Sequence, residues 1–185
     1  MAKIFLFRHA QTTDNVAHIF SGDRDPDLTE QGVKEAEGIR DALKNERVTK
    51  AFTSDRIRCK KTLEIVLQEH PNISPIIDKR IEERDYGTLT GLNKDEIAQK
   101  YPEQYPLWHR SYDVPPPDGE SLKDVEKRVL EFLKDLISVA KPDDVILISA
   151  SANSLRPIRR YFERMTPSEM ASFEHTLGKV YSYEF

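Results

Sequence analysis

Residues 145–156 read V-I-L-I-S-A-S-A-N-S-L-R. An apolar run of strand length gives way to small and polar residues and then to a helix expected from about Asn153 to Arg164. A strand that stops at a helix N-terminus gathers unpaired backbone N–H groups and the positive end of the helix dipole at one spot, which makes an anion site. Ser149-Ala150-Ser151-Ala152 contains no strong acid, base or nucleophile. If an anion binds there, the chemistry must come from other segments.

The same grammar recurs outward from this stretch. Ile4–Phe7 reads as a buried strand, Val48–Thr53 as a second, and Ile73–Ile77 as a third, weakened by Pro75. Thr29 can cap a helix to about Asn45, with Ala36, Ile39 and Leu43 at helical spacing, and Ser54 or Asp55 can cap the helix after the second strand. A helix is expected from about Asn93 to Tyr101. Tyr101–Gly119, with Pro102, Pro106 and Pro115–Pro117, reads as a long loop or lid. Ser121–Val139 carries Leu122, Val125, Val129, Phe132, Leu133 and Leu136 on one helical stripe, and Lys179–Phe185 closes the chain as a strand. Strands alternating with helices predict an α/β three-layer sandwich, a mostly parallel sheet with helices on both faces. Ligands in such folds bind beyond the carboxyl ends of the strands.

The bulk properties narrow the function classes. At 185 residues the chain is expected to form one domain over 1–185. A net charge of −4 gives no reason to expect nucleic acid or anionic membrane as a partner. Cys59 is the single cysteine, so no internal disulfide forms, in keeping with a cytoplasmic location. No segment is long and apolar enough to span a bilayer, and the five histidines and one cysteine show no metal-ligand spacing, so no metal is expected. A homo-oligomer is left open.

Strand ends are where chemistry is expected. The first strand runs into Arg8-His9, which suits a nucleophile whose target carries negative charge, although alone it reads more readily as a core or surface histidine. The second runs into Ser54-Asp55-Arg56-Ile57-Arg58, placing cations in the first turn of a helix. They are mildly disfavoured there unless they meet an anion or stay solvated. Glu82-Glu83-Arg84-Asp85 is either a solvated run or the source of a proton for a leaving oxygen, since a neighbouring anion raises a carboxyl's pKa toward that task. Arg156, Arg159, Arg160 and Arg164 read as a wet basic face.

Taken in order along the chain, F-R-H-A-Q-T, I-F-S-G-D-R-D-P-D-L-T-E-Q-G, T-S-D-R-I-R-C-K-K-T, E-R-D-Y-G-T-L-T-G-L-N-K, W-H-R-S-Y-D-V-P-P-P, D-G-E-S-L-K-D-V and A-N-S-L-R resemble the histidine phosphatase superfamily. Within it they resemble the cofactor-dependent phosphoglycerate mutases from end to end. The resemblance implies that His9 accepts the phosphoryl group, that Arg8 and Arg58 neutralise its oxygens, and that Glu83 is the general acid and base. It implies substrate contacts from Asn15, Ser21, Gly22, Tyr86, Lys94, His109, Arg110, Ala152 and Asn153. It also implies a small phosphorylated molecule as partner and priming by 2,3-bisphosphoglycerate without a metal, in glycolysis and gluconeogenesis.

Three departures stand out. The mutases carry His-Gly-Asn where this chain has Ser151-Ala152-Asn153, so Ser151 falls where a second histidine would donate to the phosphoryl oxygens. Ala10 replaces the usual glycine, and His109 stands for the first of two arginines. Losing one preorganised donor typically costs about 10²–10³ in rate, which predicts an impaired enzyme before an inactive one. The resemblance puts His175 near the pocket rim. A phosphatase acting on small phosphate esters and a non-catalytic phosphometabolite binder are the competing readings. Retention of His9, Arg58 and Glu83 argues against the binder.

Overall fold

The computed structural model describes residues 1–185. Its centre is a five-stranded sheet built from β1 (Lys3–Arg8), β2 (Lys50–Thr53), β3 (Pro75–Ile77), β4 (Val145–Ala150) and β5 (Val180–Glu184), in the order β3-β2-β4-β1-β5. β1 lies parallel to β4, with Phe5 opposite Leu147, and only β5 runs antiparallel, against β1. Pro75 is tolerated because it is the first residue of an edge strand, where its missing N–H leaves no ladder bond unmade.

Period-two alternation sends the strand side chains into two separate cores. Phe5, Phe7, Ala51 and Leu147 pack under α2 (Glu30–Leu43) and α3 (Ile57–Val66), through Ile39, Leu43, Leu63 and Val66. Ile4, Leu6, Ile146 and Ile148 pack under α6 (Leu122–Val139) and α7 (Ala152–Glu163), through Val125, Val129, Phe132, Leu155 and Ile158. The result is the expected three layers with helices on both faces. α6 begins with a reciprocal cap: the Asp124 N–H donates to Ser121 Oγ over 3.1 Å, and the Ser121 N–H to Asp124 Oδ2 over 2.9 Å.

Several elements differ from the sequence reading. α3 starts at Ile57 behind Arg56, with neither Ser54 nor Asp55 as its cap. Its first N–H is satisfied from a distant loop, Ile57 donating to Asp25 Oδ1 over 2.8 Å. The segment expected to be a loop from Tyr101 to Gly119 contains α5 (Gln104–Arg110), whose Tyr105 and Trp108 pack against a cluster that includes Phe20 and Ile97. Two short helices, α1 (Thr13–Val16) and α8 (Pro167–Ser172), were not expected. Each is nucleated by a capping box, Thr12 with Asn15 and Thr166 with Glu169. α4 (Lys94–Lys100) forms where expected, capped by Asn93. No helix is long and apolar enough to cross a membrane.

Candidate active site

His9 follows β1 directly and is pinned from three sides. Its N–H donates to the Ala150 carbonyl over 3.0 Å, and the next N–H, of Ala10, donates to Thr62 Oγ1 over 3.0 Å. Its ring Nδ1 lies 2.9 Å from the Ala10 carbonyl oxygen. A carbonyl can only accept, so Nδ1 carries the hydrogen and Nε2 is left with a free lone pair. Burial, with the charges of Arg58 and Arg8 behind it, pushes the imidazole pKa well below its ordinary 6.5. The ring is neutral at neutral pH, the state a nitrogen nucleophile requires.

Arg58 enters from the first turn of α3 and is fully buried. Nη1 donates to the Arg24 carbonyl over 2.7 Å and Nη2 to the Gly22 carbonyl over 2.9 Å. Nη2 and Nε also reach Ser151 Oγ, at 3.2 Å and 3.4 Å. Ser151, the N-cap of α7, gives its own helix no side-chain bond, and its hydroxyl oxygen is an acceptor for Arg58. Both side chains, with Gly22, lie behind the cavity wall; Ser21 and Ala152 reach the surface of the cavity.

Glu83 comes from the turn after the 3₁₀ segment Lys79–Ile81. Its Oε1 accepts from the Arg84 N–H over 2.7 Å, and Oε2 has no protein donor. The turn is held in place by Gly87, at φ +53°, where a Cβ would stand 2.1 Å from the Pro117 carbonyl oxygen. Beside it, Asn153 Nδ2 donates to the Tyr86 hydroxyl over 2.8 Å, which leaves the tyrosine proton free to donate onward. Asn15 spends its Oδ1 on the Thr12 N–H, at 3.0 Å, and keeps its amide NH₂ as a donor.

These groups border a cavity of about 490 Å³ that also takes in Lys94, His109, Arg110, Arg156 and Glu174. Several cations crowd this lining. Burial lowers the Lys94 pKa, and Arg8 and Arg110 lower it further. Burial and then Arg110 lower the Arg156 guanidinium to about 10. Burial, followed by Arg110 and Lys94, takes His109 to about 3, so this ring is neutral and adds no charge to the clamp. Cations that depress one another's pKa values are stabilised by any anion that enters among them.

The structure therefore brings Arg8, His9, Asn15, Ser21, Glu83, Tyr86, Lys94, His109, Arg110, Ala152 and Asn153 to one cavity, with Arg58 and Ser151 directly behind it and Gly22 holding Arg58. Arg156 corrects the reading of a wet basic face. It is 1% exposed, donates to Asn153 Oδ1 over 3.1 Å and to the Met170 carbonyl over 2.8 Å, and stacks on Phe173. Its place three residues after Asn153, on the same helix face, was the available signal. Glu174 was missed without any local signal. His175 does not fill the space of the absent histidine. Its ring is buried between Phe173 and Tyr181 with both nitrogens unpartnered, and only its carbonyl turns toward the site, accepting from Arg8 Nη1 over 3.3 Å. No group of three or more His, Cys, Asp or Glu side chains is assembled to hold a metal.

Residues 4–185 match the model of the histidine phosphatase superfamily, branch 1. The 2,3-bisphosphoglycerate-dependent phosphoglycerate mutase of Methylocella silvestris is 40% identical over 181 residues, covering 95% of this chain and 88% of the relative. That of Nitrobacter hamburgensis is 41% identical over 186 residues, covering 97% and 90%. Among solved structures, Bacillus stearothermophilus YhfR superposes with a TM-score of 0.89 at 26% identity, covering 98% of this chain and 90% of that one. A mycobacterial glucosyl-3-phosphoglycerate phosphatase shares the fold with a TM-score of 0.86 at 20% identity, covering 98% and 90%. A histidine with a free Nε2 after the first strand, a buried arginine from the second strand's helix, and a match along the whole chain lead to one assignment: the chain belongs to branch 1 of the histidine phosphatase superfamily and, within it, to the 2,3-bisphosphoglycerate-dependent phosphoglycerate mutase family.

Proposed function

We propose that this protein interconverts 3-phosphoglycerate and 2-phosphoglycerate through a phosphohistidine at His9. The observation that carries the reading is the meeting of a neutral, Nδ1-anchored His9 with Lys94 and Arg110 in the lining of one cavity. His9 suits phosphoryl transfer, and the two cations suit a second anionic group on the same small molecule.

Bound 2,3-bisphosphoglycerate would supply the first phosphoryl group, and the unpaired Arg8 Nε and the cations around it suit so highly charged a donor. His9 Nε2 attacks phosphorus, forming the P–N bond as the ester P–O bond breaks, and Glu83 gives the leaving oxygen its proton. In the return step Glu83 takes the proton from the hydroxyl of the substrate, whose oxygen attacks phosphorus as the P–N bond breaks. Arg8 and Arg58 offset charge on the phosphoryl oxygens. Lys94 and Arg110 hold the carboxylate so that either the 2- or the 3-oxygen can meet His9. The domain acts as one unit over residues 1–185 and needs no metal in this scheme, and a reducing cytoplasm suits its lone buried Cys59.

The deciding assay incubates the protein with 3-phosphoglycerate, with and without 2,3-bisphosphoglycerate, and scores 2-phosphoglycerate against free phosphate. Formation of 2-phosphoglycerate that depends on the bisphosphate is expected. Phosphate release without 2-phosphoglycerate would replace the mutase by a phosphatase acting on small esters. Neither product would leave a phosphometabolite binder.

A further inference from the structure

Arg110 already has a carboxylate. Glu174 Oε1 accepts a hydrogen bond from Arg110 Nη2, and Glu174 Oε2 lies 3.6 Å from Arg156 Nη2. We propose that Glu174 is a specificity-determining residue: its carboxylate occupies the clamp at Arg110 in the free protein, and only a ligand bringing its own carboxylate replaces it there.

The placement of Glu174 is built into the fold. The residue before it, Phe173, gives its carbonyl to Arg156 and lies under the guanidinium of Arg159, 4.2 Å from the ring centroid. The residue after it, His175, is buried with its carbonyl on Arg8. With both neighbours fixed, the Glu174 backbone stays at the cavity mouth, and only its side chain, 63% exposed, is free to swing away into solvent. Partial burial would raise its pKa. The Arg110 hydrogen bond and the charges of Arg110, Arg156 and Arg8 outweigh that effect and hold it below the usual carboxylate range, so it is a full anion at neutral pH. Arg156 cannot follow Glu174 outward, because its Nη1 is committed to the Met170 and Phe173 carbonyls.

Exchange of one carboxylate for another restores the bond that Arg110 loses. A phosphate ester without a carboxylate has no such replacement to offer: it either leaves Glu174 in place and forgoes Arg110, or displaces Glu174 and leaves the clamp uncompensated. Glu174 thereby lowers the affinity for ligands that need Arg110 and narrows the advantage that carboxylate-bearing esters hold over carboxylate-free ones.

This inference rests on the assignment of Arg110 to the substrate's carboxylate, and its test uses equilibrium binding so that it does not depend on turnover. The dissociation constants of 3-phosphoglycerate and of glycerol 3-phosphate are measured by calorimetry for the parent, Glu174→Gln, Arg110→Ala and the double variant. Loss of a half-exposed competing ion pair should tighten 3-phosphoglycerate by about three- to fivefold in Glu174→Gln. Glycerol 3-phosphate should change by less than half as much, and the gain should vanish when Arg110 is also alanine. Equal tightening of both ligands, no tightening, or a gain that survives in the double variant would overturn the proposal. A protein that binds with the expected contrast but forms no 2-phosphoglycerate would refute the mutase reading while leaving Glu174 in its role.

Discussion

Arg58 holds Ser151 through two donors, Nη2 at 3.2 Å and Nε at 3.4 Å from the hydroxyl oxygen. The residue standing where the family has its second histidine is thus tied to an arginine of the phosphate site, and both are fully buried. Ser151→His removes that acceptor and introduces an N–H donor long enough to reach phosphoryl oxygens. Mutase turnover should rise about 10²–10³-fold, the worth of one preorganised donor. Ala152→Gly is added in a second variant, since Ala152 is the first residue of α7 and its Cβ limits how closely backbone can approach. Initial rates of the parent, the single and the double variant decide the matter. No gain in either properly folded variant would mean that Ser151 is no lesion in this site.

The nucleophile can be tested chemically. Exposure to 2,3-bisphosphoglycerate should leave an acid-labile, base-stable phosphoryl group on the protein, absent from His9→Ala. Mass spectrometry locates it. An adduct persisting in the variant would assign the chemistry to another residue.

Arg110→Ala should weaken 3-phosphoglycerate binding by about 1.5–3 kcal/mol, the range for hydrogen bonds to charged groups. Esters that lack a carboxylate should lose far less. KM measured on both substrate types separates a carboxylate clamp from a general anion site, for which the losses would be equal.

Stability should fall with acid in a particular window. His9, His109 and His175 are all held below the ordinary 6.5: His9 well below it, His109 at about 3 and His175 at about 2, with burial the leading cause in each. Below pH 6.5 the unfolded chain binds protons that the folded chain refuses. The stability these rings contribute is therefore complete above about pH 6.5 and is lost as pH falls toward their folded values. Each ring adds a slope of up to ~1.4 kcal/mol per pH unit. Urea unfolding at pH 7 and pH 5 measures it. His175→Phe, which also removes two unpartnered buried nitrogens, should flatten the profile by one histidine's share. A flat parent profile would show that these rings are not kept neutral.

The strands and long helices were legible because each declares itself within a few residues: Ile4–Phe7 and Val145–Ser149 by continuous apolarity, α6 by its stripe and its Ser121 cap. The site residues were legible through motif order. What escaped depends on partners far away in the chain. Asp25 caps α3 across 32 positions, which no local pattern can announce. α5 forms in a proline-rich stretch because Tyr105 and Trp108 find an apolar cluster around Phe20. Arg156 looks like one more surface charge until α8 folds back and offers it the Met170 and Phe173 carbonyls. Glu174 sits in a segment without periodicity, and its meaning comes from Arg110 and Arg156, both distant in sequence or on another element.

The strand order has a consequence for how the molecule is made. β1, which carries Arg8 at its end and His9 just beyond, pairs only with β4 and β5, residues 145–150 and 180–184. During synthesis β1 leaves the ribosome well before β4 and β5, so the nucleophile's strand has no neighbour until the intervening chain has followed. β2 and β3 can pair early, but the cavity has no floor until β4 inserts between them and β1. Closing loops of that length is slow, and the waiting apolar strand Ile4–Phe7 is exposed to wrong partners meanwhile. Chaperone demand should therefore be concentrated on the nascent β1 segment, and it should end when the β4 segment emerges.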